Sequence, residues 1–180
     1  MEHRFTHSKL RLPQYVTLRI MDGYPLFMDT TVRSMLIDGI RALHSEGVEI
    51  FAFVIMPNHI HLVAQHQQIE RLISNFQHEI ATKILLYLMS TNRSRIIQHM
   101  NELAGTTVAI TPADIWQSPP QWTPIHDANQ LEKYIWLTHQ NPVKAGIVRN
   151  PESWRWSSYL LTSDHLEPLN LSEAVIPVRD

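Results

Sequence analysis

The stretch Val48-Glu49-Ile50-Phe51-Ala52-Phe53-Val54-Ile55-Met56-Pro57-Asn58-His59-Ile60-His61-Leu62-Val63-Ala64 decides the fold. From Val48 to Met56 the apolar residues run too continuously for an exposed edge strand, which is the pattern of a strand covered on both faces. Pro57-Asn58 supplies a connection and His59 to Ala64 reads as a second short strand, so the two close a tight hairpin. Residues i and i+2 of a strand share a face. His59 and His61 therefore present two imidazoles side by side, while Ile60 and Leu62 turn the other way into a core. Neutral imidazoles placed like this can hold one divalent ion and leave coordination positions open to a phosphate oxygen. The plain alternative is a pair of exposed histidines on an edge strand, and spacing alone does not separate the two.

Upstream of the hairpin, Tyr15 to Ile20 alternates as a half-buried strand does, and Asp22-Gly23 marks a turn. From Thr30 or Thr31 to Glu46, Val32, Met35, Leu36, Ile40 and Leu43 recur at helical spacing until Gly47 stops them. Downstream, Leu72, Ile73, Phe76, Ile80, Ile84 and Leu88 share one face of a long helix over Ile69 to Met89. Asn92 to Gly105 either continues it or forms a separate short helix, and Thr106 to Pro120 reads as a loop with at most one short strand. Trp122 to His126 is the expected last strand. Asp127 then caps a helix from Ala128 to about His139, with Pro142 just beyond its end. The Trp-rich stretch Pro151 to Tyr159 is a short helix or turn. The tail from Ser163 carries few core-forming residues besides Leu169, Leu171 and Val175. The order β, α, β, β, α, loop, β, α predicts an α+β fold. It is a ferredoxin-like βαββαβ sandwich with an antiparallel sheet and additional C-terminal helices, one domain over 1–160 and a tail over 161–180.

Bulk composition agrees and excludes several classes. A chain of 180 residues that is 44% hydrophobic and 18% charged can bury a sizeable core. The absence of cysteine removes disulfides, zinc–thiolate sites and thiol nucleophiles. A formal net charge of −2 argues against a protein that coats nucleic acid by bulk charge, though a site-specific enzyme needs only a local basic face. No apolar run reaches membrane-spanning length, and Met1-Glu2-His3-Arg4 opens no signal-peptide stretch, so a cytoplasmic protein with no membrane partner is expected.

Met56-Pro57-Asn58-His59-Ile60-His61 resembles the metal motif of the HUH nucleases, U being a bulky hydrophobic residue, in the form used by REP-associated tyrosine transposases. Two further stretches are similar to that family and follow in the right order. They are Tyr134-Ile135 with Asn141-Pro142-Val143-Lys144-Ala145-Gly146-Ile147-Val148, and Pro151-Glu152-Ser153-Trp154-Arg155-Trp156-Ser157-Ser158-Tyr159. Smaller echoes are Val16-Thr17, Phe27 and Ile115-Trp116-Gln117, so the likeness spans roughly residues 12 to 160. The resemblance implies a DNA transposase or endonuclease of the single-tyrosine type. A helical Tyr attacks a DNA phosphodiester, leaving a 5′-phosphotyrosine and a free 3′-OH, with magnesium or manganese polarising the phosphate. It implies single-stranded or hairpin DNA as partner, and it leaves monomer and homodimer both open.

The family pattern puts its Tyr four residues before the Asn of Asn-Pro-Val, a position held here by Leu137, with Tyr134 three residues further upstream. Two readings follow. A small local insertion restores Tyr134 as nucleophile, or the nucleophile is lost and the protein is a DNA-binding, domesticated derivative; Tyr87 is a distant third candidate. The family's third ligand, a Gln one turn after the Tyr, points to Gln140, with His139 beside it; both also read as the solvated end of the helix. Asn141 reads as a helix-end cap or a DNA contact. Arg11, Lys144 and Arg155 are the basic residues taken as DNA contacts, while Trp154 and Trp156 either stack bases or plug the core. A metal-dependent hydrolase is the weaker reading, since no Asp or Glu occurs from Phe51 to Gln68.

Overall fold

A computed structural model of the chain describes residues 12–105, 109–161 and 167–171. Strand β1 (Gln14–Arg19) leads through helix α1 (Thr30–Ser45) to the hairpin of β2 (Glu49–Ile55) and β3 (His59–Gln65). Helices α2 (Ile69–Ser90) and α3 (Ser94–Ala104), strand β4 (Gln121–Pro124) and helix α4 (Ala128–Lys144) complete it. The sheet order is β2-β3-β1-β4 with each neighbouring pair antiparallel, which is the expected ferredoxin-like arrangement.

Local chemistry sets the elements. The Asp29 carboxylate accepts from the N–H groups of Thr31 and Val32 and so caps α1. Gly47, at φ 88°, ends it, letting the N–H of Val48 return to the Leu43 carbonyl. The buried stripe of α1, Val32, Leu36, Ile37, Ile40 and Leu43, meets that of α2 over one face of the sheet, with Val16, Leu18, Ile60 and Leu62 beneath. The two helices come closest at Gly39, where a Cβ would lie 2.7 Å from Phe76 Cε2 and 2.8 Å from Ile80 Cδ1. On the opposite face α4 sets Leu131 and Ile135 over Phe51, Ala52 and Val63. The register slips between Ile50 and Ala52, and both Phe51 and Ala52 join that second cluster. The outer edge of β2 is covered by the Trp156–Ser158 stretch, through Ile55 N–H to the Trp156 carbonyl and Ser158 N–H to the Phe53 carbonyl.

One expectation changes and two others are resolved. Helix α4 continues past His139 to Lys144 with Pro142 inside it. Proline forfeits only the bond to the Thr138 carbonyl, and so near the helix end that loss is offset by burying its ring. Gly146, at φ 69°, marks the actual stop. The 92–105 stretch is a separate helix because Asn92 takes a positive φ of 54° after α2. Leu169 and Leu171 are buried, and the N–H of Leu169 bonds the Ile50 carbonyl at 2.7 Å, while Val175 lies outside the described residues.

The contact at Gly39 yields a stability test. Gly39→Val forces Phe76 and Ile80 apart and is expected to cost about 2 kcal/mol, read as a lowered urea midpoint at unchanged slope.

Candidate functional site

The site grows from the pairing of β1 with β3. Its register sets Thr17 opposite His61 and Arg19 opposite His59, so all four side chains, with Tyr15, point to the α4 side of the sheet. The two imidazole rings stand 4.7 Å apart at 79°, converging rather than splayed. His61 is only 5% exposed, and His59 is half-buried.

Each ring has one nitrogen committed. His59 Nδ1 lies 2.7 Å from Asn58 Oδ1. The Asn58 amide nitrogen donates to the Gly23 carbonyl at 2.9 Å, which fixes the orientation of the amide with its oxygen toward His59. The proton of His59 therefore sits on Nδ1, and Nε2 keeps its lone pair. At His61, Nδ1 lies 2.8 Å from the Tyr15 hydroxyl and 2.9 Å from the Thr17 hydroxyl. Whichever hydroxyl takes the hydrogen bond, Nδ1 is the nitrogen used. Such fixing of one ring nitrogen is how proteins aim the other.

Electrostatics keep both rings neutral. Burial pushes the His59 pKa down to about 4, helped by the Arg19 charge and opposed by a hydrogen bond to Asn141. Burial, then His59 and Arg19, push His61 down to about 3. Burial also raises the Tyr15 phenol to about 12, so it stays protonated and acts as a hydrogen-bonding wall. These donors suit a divalent cation: two neutral imidazoles, each held by its far nitrogen, with a carboxamide alongside. Among the described residues no group of three or more His, Cys, Asp or Glu gathers there.

Helix α4 contributes from above. Tyr134 stacks on Tyr15 with centroids 4.8 Å apart, and Tyr15 stacks on His61 at 5.1 Å. Tyr134 thus reaches the pair through the intervening Tyr15 ring. Two turns on, Asn141 lies close enough to His59 to raise its pKa, from inside the helix where the sequence suggested a cap at its end. Gln140 lies about 100° round the helix from Asn141 and is half-buried. His139 is buried, its Nε2 2.9 Å from the Ser158 hydroxyl, which ties α4 to the segment along β2. Leu137 is half-buried on the flank between Tyr134 and Asn141.

Other candidates sit elsewhere. The Tyr87 hydroxyl donates to Asp29 at 3.0 Å, on the α1–α2 side of the sheet and away from the imidazoles. Lys144 lies over the exposed ring of Trp136, 4.9 Å from its centroid. Arg155 lies 5.1 Å from the Trp156 centroid, and Arg11 falls outside the described residues. Trp156 is core, and Trp154 packs against it with its indole N–H on the Ile55 carbonyl at 3.0 Å. Tyr15 was not singled out from sequence, and Thr17 only as an echo of the family, although strand alternation already places them on one face.

No protein-family description and no curated protein matches the chain. Among solved structures it is similar to a REP-associated tyrosine transposase bound to a REP hairpin, with a TM-score of 0.58 and 19% identity over 94% of this chain and 88% of that one. A candidate transposase from Deinococcus radiodurans aligns at a TM-score of 0.43 and 13% identity, over 77% of this chain and 98% of that one. The chain therefore has the fold of the REP-associated tyrosine transposase.

Acid should weaken the fold through this site. The unfolded chain takes up imidazole protons near pH 6.5, which the folded protein refuses until about pH 4 at His59 and about pH 3 at His61. Stability from this source is full above pH 6.5 and is lost as pH falls through that window. Thermal melts from pH 7 to pH 4 should show a steeper loss for the wild type than for His61→Gln. Parallel curves would remove the neutral-imidazole account.

Proposed function

We propose that the protein nicks and rejoins single-stranded or hairpin DNA, as in transposition of repeat elements, through a covalent link to Tyr134. The observation that carries this reading is the pair of converging, neutral imidazoles with fixed far nitrogens on one strand of a transposase-like fold. Support for the ligand comes from the REP hairpin held by the structural neighbour.

His59 and His61 would hold the cation through Nε2, and a bound magnesium or manganese ion would polarise and orient the scissile phosphate. Manganese suits imidazole better, since magnesium favours oxygen donors. The phenol oxygen of Tyr134 forms a bond to phosphorus as the P–O3′ bond breaks. The phenolic proton leaves to solvent, and the departing 3′ oxygen takes up a proton to end as a 3′-OH. The phosphodiester energy stays in the 5′-phosphotyrosine, so attack by another 3′-OH reverses the chemistry onto a new strand. Tyr15 and Thr17 hold His61 in place, and Asn58 holds His59.

A second reading has its own observation. Tyr15 stands between Tyr134 and His61, and Leu137 occupies the flank one turn before Asn141. That arrangement favours a DNA-binding protein that has lost the nucleophile.

A denaturing gel separates the two. Wild-type protein with manganese and a hairpin-bearing oligonucleotide should give a covalent adduct that Tyr134→Phe abolishes while DNA affinity changes less than about twofold, the size of a typical surface effect. His59→Ala should abolish metal-dependent nicking. No adduct from the wild type, with DNA binding intact, selects the second reading.

A further inference from the structure

Arg33 stands on the buried side of α1 and is only 7% exposed. Among the described residues its Nε has no hydrogen-bond partner, and its Nη2 meets the Met28 sulfur at 3.8 Å, a weak acceptor. The nearest attracting carboxylate, Asp29, is already saturated. One oxygen accepts from the Thr31 and Val32 amides, and the other from the Tyr87 hydroxyl and from Arg93 at 2.7 Å. Burial and the Arg155 charge both press on Arg33, lowering its pKa. Its guanidinium carbon lies 5.1 Å from the Trp154 centroid and 5.3 Å from the Trp156 centroid, and that of Arg155 lies 5.1 Å from Trp156. The indole faces recover part of the desolvation cost of the cations, but they leave the Nε–H unpaired. Buried polar groups nearly always have partners, and a buried cation is costly without one. Among the described residues, the two arginines around the Trp156 indole have no ion pair with a carboxylate.

We propose that Arg33 and Arg155, clamped by Trp154 and Trp156, form a binding site for a backbone phosphate of the nucleic acid. This rests on the reading of the protein as a single-stranded DNA processor. The forked donors of two guanidiniums match a phosphate's oxygens, and the Arg33 Nε–H gains its missing acceptor. Placement selects a nucleic acid over a free anion. The Trp154 indole bonds the Ile55 carbonyl and the Trp156 carbonyl accepts from the Ile55 amide, so the cluster sits at the end of β2. The Pro57-Asn58 turn then leads directly to His59. A polymer with a phosphate on every unit can reach round the hairpin end to occupy both places, one on each face of the sheet, whereas a lone phosphate gains nothing from the second.

The test measures affinity for a single-stranded oligonucleotide against salt, in Arg33→Met and Arg155→Gln. Each variant should bind roughly tenfold more weakly, as expected for a lost charge-assisted hydrogen bond. Each should also flatten the slope of log affinity against log salt by about 0.7, one single-strand phosphate contact. Free Arg33→Met should melt at or above the wild-type temperature, because an apolar isostere replaces an unpaired buried charge. A lowered melting temperature with unchanged slope would make Arg33 a structural brace and overturn the site. If Arg33→Met fails to fold, an unchanged slope in Arg155→Gln overturns it. Inorganic phosphate added to nitrogen-15-labelled wild type should shift the Arg33 Nε–H resonance, and an unmoved resonance also overturns it. A wild type that binds no oligonucleotide refutes the DNA-processing reading and the nucleic-acid ligand together. Unchanged slopes in a wild type that nicks DNA refute this site alone.

Discussion

The pairing of β1 with β3 is the constraint on which the site depends. It sets Thr17 across from His61 and Arg19 across from His59. A slip of one residue would send Tyr15, Thr17 and Arg19 into the α1–α2 core and bring Val16 and Leu18 under α4. The alternation that buries Val16, Leu18, Ile60 and Leu62 on one face therefore also delivers two hydroxyls to His61 on the other. Burial of that second face is what holds the imidazoles neutral, since water is too scarce there to stabilise a charge.

Helix α4 is the second constraint, and its footing explains why Tyr134 and Asn141 share a flank. Both lie on the flank facing the polar half of the sheet, about 20° apart in helical projection two turns from each other. The helix cannot slide or roll to favour one, because Leu131, Ile135, Thr138 and Pro142 are buried beneath it and His139 is bound to Ser158. With the backbone pinned, the Tyr15–Tyr134 stack fixes how near the Tyr134 phenol stands to His61 while Tyr15 keeps its rotamer. The position of that phenol relative to His61 is thus governed by one side chain, Tyr15, rather than by motion of α4.

Much of this was legible in the chain because the rules involved are local. The hairpin and the shared face of His59 and His61 follow from strand period alone, and the element order followed from helical and strand spacing. What escaped depended on distant partners. Tyr15 and Thr17 alternate visibly on β1, but nothing in the sequence sets their register against β3. Pro142 was read as lying beyond the end of α4, where its buried ring outweighs the single backbone bond it forfeits. Gln140 was read, from the family resemblance, as a ligand or as the solvated end of the helix, and Asn141 as a cap or DNA contact; the rotation of α4 places Asn141 beside His59. Arg33 gave no signal, since one cation inside an apolar stripe looks like any residue at the stripe's margin.

The places where the chain breaks the ordinary rules of burial are not scattered. His61 is a buried imidazole near one end of the β1–β3 ladder, and Arg33 is a buried guanidinium whose Nε has no partner among the described residues, beside the end of β2. Both adjoin the Met56–His59 turn, which the Phe27 and Ile20 amides hold by bonding the Pro57 and Asn58 carbonyls at 2.9 Å. The remaining sheet face and the α1–α2 interface pack as an apolar core should, and they supply the stability that such exceptions consume. The buried imidazole and the buried guanidinium thus lie to either side of one anchored turn. Its two amide bonds hold it in place, and groups held in advance of a ligand need no reordering when one arrives.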